Sequence, residues 1–157
     1  MGFHGLRVAD GIVDNRPFMP HPILLYDGVC GLCNRLVQFI LRRDRKAIFR
    51  FASLQSPFAA RIVARHGARP TDLDTVYVVL NHELPDESLL SRSAAAIFVL
   101  QRLGRFWRSV AFLVRLLPES LRDAAYNAVA RRRYRIFGRS ETCTLPCGLD
   151  HSRFLDH

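Results

Sequence analysis

The stretch ILLYDGVCGLCN, residues 23–34, decides the fold of this chain. Its apolar run, residues 23–26, predicts a buried strand, and Asp27-Gly28 predicts the tight turn that ends it. From Leu32 onwards, apolar residues recur at helical spacing as far as residue 41. The stretch therefore places Cys30 and Cys33 between a strand and an amphipathic helix.

The elements that follow predict a compact α/β core. They are a strand at 48–52, a helix at 57–66, a strand at 75–80, a short strand around 89–90 and a helix at 94–103. Ser93 stands where a helix N-cap is expected, and Gly104 stands where that helix should stop. The predicted order is βαβαββα, with only helical patterns after it.

Length and composition favour a single folded domain. At 157 residues the chain can bury a core without disulfides or metal, and 49% hydrophobic with 24% charged residues is ordinary for a globular protein. We divide it into an N-terminal arm (1–21), a core (22–105), C-terminal helices packed on that core within the same domain (106–137) and a tail (138–157).

The sequence predicts no export signal and no transmembrane segment. The longest apolar runs, 94–100 and 110–114, fall far short of the ~20 residues that span a bilayer. We therefore expect a cytoplasmic protein. In that reducing compartment paired cysteines are more often catalytic or metal-binding than structural.

A cysteine pair after a strand and at a helix start is typical of thiol-disulfide exchange. The helix N-terminus favours a thiolate, so we expect Cys30, exposed at the cap, to attack a disulfide. Cys33, one turn further on, is then expected to resolve the mixed disulfide. Two electrons move per cycle, and we expect neither a cofactor nor a metal.

Several motifs in order resemble the DCC-type thiol-disulfide oxidoreductases. They are YDGxCxxC at 26–33, RFASLQ at 50–55, SxA at 93–95, LP at 117–118 and YNAVARxRYxxFG at 126–138, with Cys143 shortly after. The resemblance covers residues 22–147. It implies a thioredoxin-like fold and a dithiol oxidoreductase that acts on a disulfide-containing protein or a small thiol substrate.

Three further residues are candidate site residues. Asp27 either transfers protons for Cys33 or only shapes the turn, and both interpretations stay open. Thioredoxin-like enzymes place a proline just before the third strand, where substrate backbone pairs, and here Thr75 occupies that place. Ser93 caps its helix at the end of the sheet where Cys30 lies, so it is also a candidate for substrate contact.

Cys143 and Cys147 raise alternatives to a simple exchange pair. With Cys30 and Cys33 they could form a four-cysteine zinc site, or they could relay electrons to the first pair. The simplest interpretation is two ordinary thiols in the tail. The six histidines show no ligand spacing with each other or with the cysteines.

Basic residues are concentrated in the C-terminal part of the chain. Residues 101–140 contain ten arginines against Glu119 and Asp123. We expect the run Arg131 to Arg135 to form a solvated or partner-contacting helix face, without stable nucleic-acid binding. The alternative function is a thioredoxin-like binding module that docks a partner or nucleic acid through these helices, with redox-sensing or zinc-binding cysteines.

Overall fold

The structure, a computed structural model, describes residues 21–69, 75–139 and 151–155. Its elements are β1 (Ile23–Tyr26), α1 (Gly31–Arg43), β2 (Arg50–Ser53), α2 (Pro57–Arg65), β3 (Tyr77–Leu80), β4 (Ser88–Ser91), α3 (Arg92–Arg102), α4 (Arg105–Arg115), α5 (Glu119–Phe137) and a 3₁₀ turn (His151–Arg153). The predicted α/β class, with a βαβαββα core and a C-terminal helical extension, is confirmed.

The four strands form one mixed sheet in the order β2-β1-β3-β4. Strand β1 runs parallel to β2 and antiparallel to β3, and β4 returns antiparallel to β3. Leu24 pairs with Phe51 on one side and with Val78 on the other. The ends of β1 and β2 and the start of β3 therefore meet at one edge, which carries the cysteine loop.

Both faces of the sheet are covered by helices, which explains why β1 is wholly apolar and buried. Leu24 and Tyr26 face the cluster that contains Cys33 and residues of α1 and α3. Ile23 and Leu25 face the opposite cluster, which is built with α2. The cysteine helix α1 thus packs on the same side of the sheet as α3.

The start of α3 differs from the prediction. The N-cap is Ser91 rather than Ser93, because β4 ends at Ser91 and the helix begins at the next residue. Ser93 lies in the first turn and is buried, and its hydroxyl donates a hydrogen bond to the carboxylate of Asp123 on α5. Ser93 therefore joins α3 to α5 instead of capping its own helix.

Residues 151–155 pack on the core, although the sequence predicts no regular structure after residue 137. The backbone N–H of Leu155 donates to the Phe51 carbonyl at 2.9 Å, and the Phe154 ring stacks on the Phe51 ring. Buried Arg153 forms an ion pair with buried Asp44. The edge of β2 is thereby covered by residues 151–155.

Across the three described ranges, the structure contains no helix long and apolar enough to cross a membrane.

Candidate active site

The two cysteines occupy the first turn of α1. Cys30 is the N-cap residue with extended backbone, and its carbonyl accepts the Asn34 N–H at 3.0 Å. Cys33 lies one turn in, and both cysteines are free thiols. Their side chains are hydrogen-bonded to each other. The predicted placement at the start of a helix is confirmed.

The predicted exposure of Cys30 is wrong, because Cys30 is 0% exposed. The end of α5 lies against it: Arg139 forms a β-bridge with Cys30, and the Gly31 N–H donates to the Gly138 carbonyl at 3.3 Å. A Cβ at Gly31 would lie 2.3 Å from the Phe137 carbonyl oxygen, so only glycine permits this approach. We call residues 137–139 the covering segment.

Asp27 is fully buried and both of its carboxylate oxygens accept hydrogen bonds. One oxygen accepts the Val29 N–H at 3.1 Å, which shapes the turn, and the Gln55 side-chain amide at 2.7 Å. The other accepts Arg133 at 3.1 Å and the Tyr134 hydroxyl. Motifs from three distant parts of the sequence therefore meet on one carboxylate.

Arg133 links this carboxylate to the dithiol. Its guanidinium forms a buried ion pair with Asp27, and a second nitrogen lies 3.7 Å from the Cys33 sulfur. Arg133 itself is only 2% exposed. A positive charge is thus fixed beside the cysteine pair by a carboxylate that belongs to the cysteine motif.

The prediction of a solvated arginine run is wrong for Arg133. Arg131, Arg132 and Arg135 are exposed as expected, but Arg133 points inward. The sequence carried a signal for this, because Arg133 follows Ala130 at helical spacing on the face of α5 that is buried. An arginine on a buried face requires a carboxylate partner.

The surroundings separate the pKa values of the two thiols. A hydrogen bond from Cys33 lowers the pKa of Cys30 to about 6, helped by the N–H groups of Leu32 and Cys33 and by the charge of Arg133, while burial opposes the shift. The pKa of Cys33 is raised, chiefly because it donates that hydrogen bond, then by burial and by the Cys30 charge. Cys30 is thus the thiolate and Cys33 the thiol.

Tyr134 remains a hydrogen-bond donor throughout the neutral range. Burial, together with its hydrogen bond to Asp27, raises the pKa of the Tyr134 hydroxyl to about 12. The hydroxyl also accepts a hydrogen bond from Arg133 at 2.8 Å. Sequence reasoning did not single out Tyr134, although the motif around it was visible.

Thr75 and Ser93 lie at the same end of the sheet as the cysteines. Continuing the register of β1 and β3 places buried Thr75 level with Asp27. The next N–H along, that of Val76, donates to the Tyr126 hydroxyl at 2.9 Å. Contact of Thr75 or Ser93 with a substrate stays a prediction.

The alternatives that involve Cys143 and Cys147 lie outside the described residues. Among the residues that are described, no group of three or more His, Cys, Asp or Glu side chains is arranged to hold a metal ion. The chemistry visible at this site is that of a dithiol with a fixed charge beside it.

The thiolate of Cys30 should be observable by titration. We expect the ultraviolet absorbance of the thiolate in the reduced protein to rise with a midpoint near pH 6, because the folded-state pKa of Cys30 is about 6 instead of 9.0. A lowered pKa stabilises the folded state above the unfolded-state pKa, and this contribution is lost as the pH falls through about 6.

The Cys30→Ser variant is the control for this titration and should lose the transition near pH 6. A midpoint close to that of an ordinary free cysteine in the unchanged protein would contradict the assignment of the thiolate.

Comparisons with known proteins support the resemblance seen in the motifs. A family model described as DCC1-like thiol-disulfide oxidoreductase matches residues 24–139. The "Uncharacterized protein YuxK" of Bacillus subtilis is 37% identical over 137 residues, covering 87% of this chain and 96% of the bacterial protein. The chloroplastic "DCC family protein At1g52590" of Arabidopsis thaliana is 37% identical over 124 residues, covering 79% of this chain and 69% of the plant protein. No solved structure matches.

Proposed function

The chain belongs to the DCC1-like thiol-disulfide oxidoreductase family, and from this premise we propose that it exchanges a Cys30–Cys33 dithiol with the disulfide of a protein or small molecule. Membership supports a thiol-disulfide redox role in general. We assign the exchange to the sulfurs of Cys30 and Cys33, and we propose the order in which they react.

The observation that carries the proposal is the placement of the pair: Cys30 is the N-cap residue of α1, and Cys33 lies one turn further in. Thiolate character is what makes a cysteine a nucleophile, and the pKa of Cys30 is lowered while that of Cys33 is raised. Arg133, 3.7 Å from the Cys33 sulfur, adds a fixed positive charge. One sulfur is ready to attack, and the other holds its proton.

In the first step the Cys30 thiolate attacks one sulfur of the substrate disulfide. A sulfur–sulfur bond to Cys30 forms, the substrate bond breaks, and the second substrate sulfur leaves as a thiolate. This mixed disulfide removes both the negative charge and the hydrogen-bond acceptor that raise the pKa of Cys33. Forming the intermediate therefore prepares Cys33 to react.

In the second step Cys33 gives its proton to the substrate thiolate that was released in the first step. The Cys33 sulfur then attacks the Cys30 sulfur. The mixed disulfide breaks, the remaining substrate sulfur leaves as a thiolate and takes up a proton from water, and the protein holds a Cys30–Cys33 disulfide. Arg133 stabilises the transient charge on Cys33. The substrate gains two electrons, and a dithiol donor restores the protein by the reverse sequence.

We assign Asp27 a positioning role rather than proton transfer. Its carboxylate is already engaged by Arg133, Tyr134 and Gln55, and these contacts hold the guanidinium toward Cys33. The Val29 N–H ties the same carboxylate to the cysteine loop. Asp27 therefore acts on the chemistry through Arg133.

Exchange also requires access to Cys30. Its sulfur has no exposed surface while the covering segment lies against it, so a substrate disulfide reaches it only when residues 137–139 move aside. The contacts that hold the segment include one long backbone hydrogen bond, from Gly31 to Gly138 at 3.3 Å. We further propose that the protein works in a reducing compartment, where a dithiol donor is present.

A trapping experiment tests the proposal. In the Cys33→Ser variant the first step proceeds but the second cannot, so a mixed disulfide through Cys30 should accumulate with a small disulfide-bonded protein. We expect at least about tenfold more of this adduct than with the unchanged protein. Non-reducing electrophoresis measures its amount, and mass spectrometry of the linked peptides identifies the cysteine.

The matched control is the double variant Cys30→Ser, Cys33→Ser, which should trap no substrate. Equal trapping by the double variant, or linkage through a cysteine other than Cys30, would refute the proposed order of steps.

A further inference from the structure

A strongly cationic recess lies at the end of α1 that is remote from the cysteines. It has a volume of about 680 Å³ and lies between the end of α1, the loop after it and the junction of α3 with α4. Six basic side chains line it: Arg42, Arg43, Arg45, Lys46, Arg102 and Arg108. The lining also includes the carboxylate of Asp44, which already accepts hydrogen bonds from Arg153 and from the Phe49 N–H. The recess therefore favours anions.

Aromatic rings hold part of this charge in place. The Arg43 guanidinium lies 4.0 Å from the centre of the Phe39 ring and 5.6 Å from that of Trp107. Arg102 lies 5.0 Å from the centre of the Phe98 ring. Stacked guanidinium groups lose less conformational freedom when they bind an anion. The recess is thus partly ordered before any ligand arrives.

An exposed apolar face adjoins the recess. On α4 and at its end, Phe106, Phe112, Leu113 and Leu116 are 62–71% exposed. These four residues define the outer face of α4. The opposite side of the helix, around buried Ala111, packs toward the core. Large apolar side chains this exposed and this close together mark an interaction surface.

Basic residues border the outer face on one side. Arg105, Arg108 and Arg115 lie on the same helix and are exposed, and Arg108 borders both the recess and the outer face. An exposed apolar stripe of Phe and Leu flanked by arginines is the pattern of a helix that lies in a membrane interface. The arginines would meet phosphates while the apolar side chains enter the acyl boundary.

We propose that the outer face of α4 and the cationic recess together dock the protein on the surface of an anionic lipid bilayer. The outer face inserts shallowly, and the recess holds anionic headgroups. The docking is peripheral and uses no spanning helix. It is independent of the proposed exchange chemistry, because α1 has 13 residues and its two ends are about 20 Å apart.

Charge and chemistry favour lipid over other occupants. A second copy of this face would bring two sets of arginines together, which is unfavourable. A nucleic acid would satisfy the arginines, and its bases can stack on Phe106 and Phe112, but Leu113 and Leu116 would remain in water. An anionic bilayer satisfies the charges and the apolar side chains at once.

Vesicle binding by the full chain tests this proposal. We expect co-sedimentation with vesicles of phosphatidylcholine that contain about 30% phosphatidylglycerol, and at least about tenfold weaker binding to phosphatidylcholine alone. Added salt should weaken the binding. The double variant Phe112→Ser, Leu113→Ser should lower the partition coefficient by about tenfold or more, because both side chains lose their insertion into the bilayer.

A pair of charge reversals supplies matched variants. Each basic side chain near an anionic surface is worth about fivefold in partition, so Arg45→Glu, Lys46→Glu should lower binding by about 30-fold or more. The control variant is Arg61→Glu, Arg69→Glu, which changes the net charge by the same amount. Both residues are exposed, one on α2 and one just after it, on the other side of the sheet. This variant should change binding by less than about threefold. Circular dichroism checks that each variant is folded.

Several outcomes would overturn the proposal. They are failure to bind phosphatidylglycerol vesicles, equal losses from the two charge-reversal pairs, unchanged binding by the Phe112→Ser, Leu113→Ser variant, and binding to RNA or inositol hexakisphosphate without binding to vesicles. A stable dimer that buries the outer face in solution would also overturn it. Disulfide turnover in solution is expected to stay unchanged in all of these variants, which separates this proposal from the proposed function.

Discussion

Replacing Cys30 with serine should abolish disulfide exchange, lowering turnover on the order of 10³-fold or more. Serine cannot form the mixed disulfide, and a hydroxyl in this position has no thiolate to attack with. The effect should exceed what is expected for any other single substitution at the site. The rate is measured as the release of a coloured thiolate when the reduced protein is mixed with a small aromatic disulfide and no other thiol is present.

Cys33→Ser is the matched control, because it changes the same atom type one turn further along α1. It should still release the first equivalent of coloured thiolate, since Cys30 still attacks, but not the second, since nothing in the variant resolves the mixed disulfide. If Cys30→Ser turned over at the rate of the unchanged protein, exchange would not proceed through this pair.

Replacing Arg133 with methionine should strongly destabilise the fold. The substitution keeps much of the side-chain volume but leaves the Asp27 carboxylate buried without its cation. Breaking a buried ion pair from one side costs about 3–5 kcal/mol. The melting temperature should fall by about 6–20 °C, because about 2–4 °C is lost per kcal/mol in a protein of this size. Denaturant and thermal unfolding measure both quantities.

Arg133→Met also has an effect that a purely structural role would not produce. The Arg133 charge lowers the pKa of Cys30, so the thiolate titration should move to higher pH in the variant. Arg133→Lys keeps a positive charge and should retain part of the shift. A loss of stability with an unchanged titration would show that Arg133 supports the fold without acting on the thiol.

Two further variants complete the test of the ion pair. Arg132→Met lies beside it on the same helix and is exposed, so its stability should change by less than about 0.5 kcal/mol. Adding Asp27→Asn to Arg133→Met should recover part of the lost stability, since no unpaired charge then remains. Equal stability of Arg133→Met and Arg132→Met would contradict the buried ion pair.

Most of the fold followed from short-range pattern. The run of apolar residues before Asp27-Gly28 is long enough only for a strand that is buried on both faces, and β1 is such a strand. Gly67, which directly follows the helix predicted at 57–66, has a positive φ of 70°. These features depend on neighbouring residues alone, so the sequence reveals them directly.

The errors lie where distant segments meet. Serine is a typical N-cap residue, but β4 runs directly into α3, so that Ser93 lies inside the helix. The Ser93 hydroxyl is therefore free to donate to Asp123. Cys30 stands at a cap that looks exposed, yet the end of α5, over a hundred residues later, covers it. The helix and strand propensities of neighbouring residues do not reveal a contact whose two partners are brought together only by tertiary packing.

The sequence by itself determined where the dithiol lies: two cysteines, one turn apart, at the start of a helix that follows a buried strand. Helix geometry requires that placement whatever surrounds it. Only the tertiary structure decided which charge acts on the pair and how the pair is covered. Arg133 reaches Asp27 and Cys33 because α5 packs against α1. That packing is driven by the burial of apolar surface, and this driving force has no preferred direction.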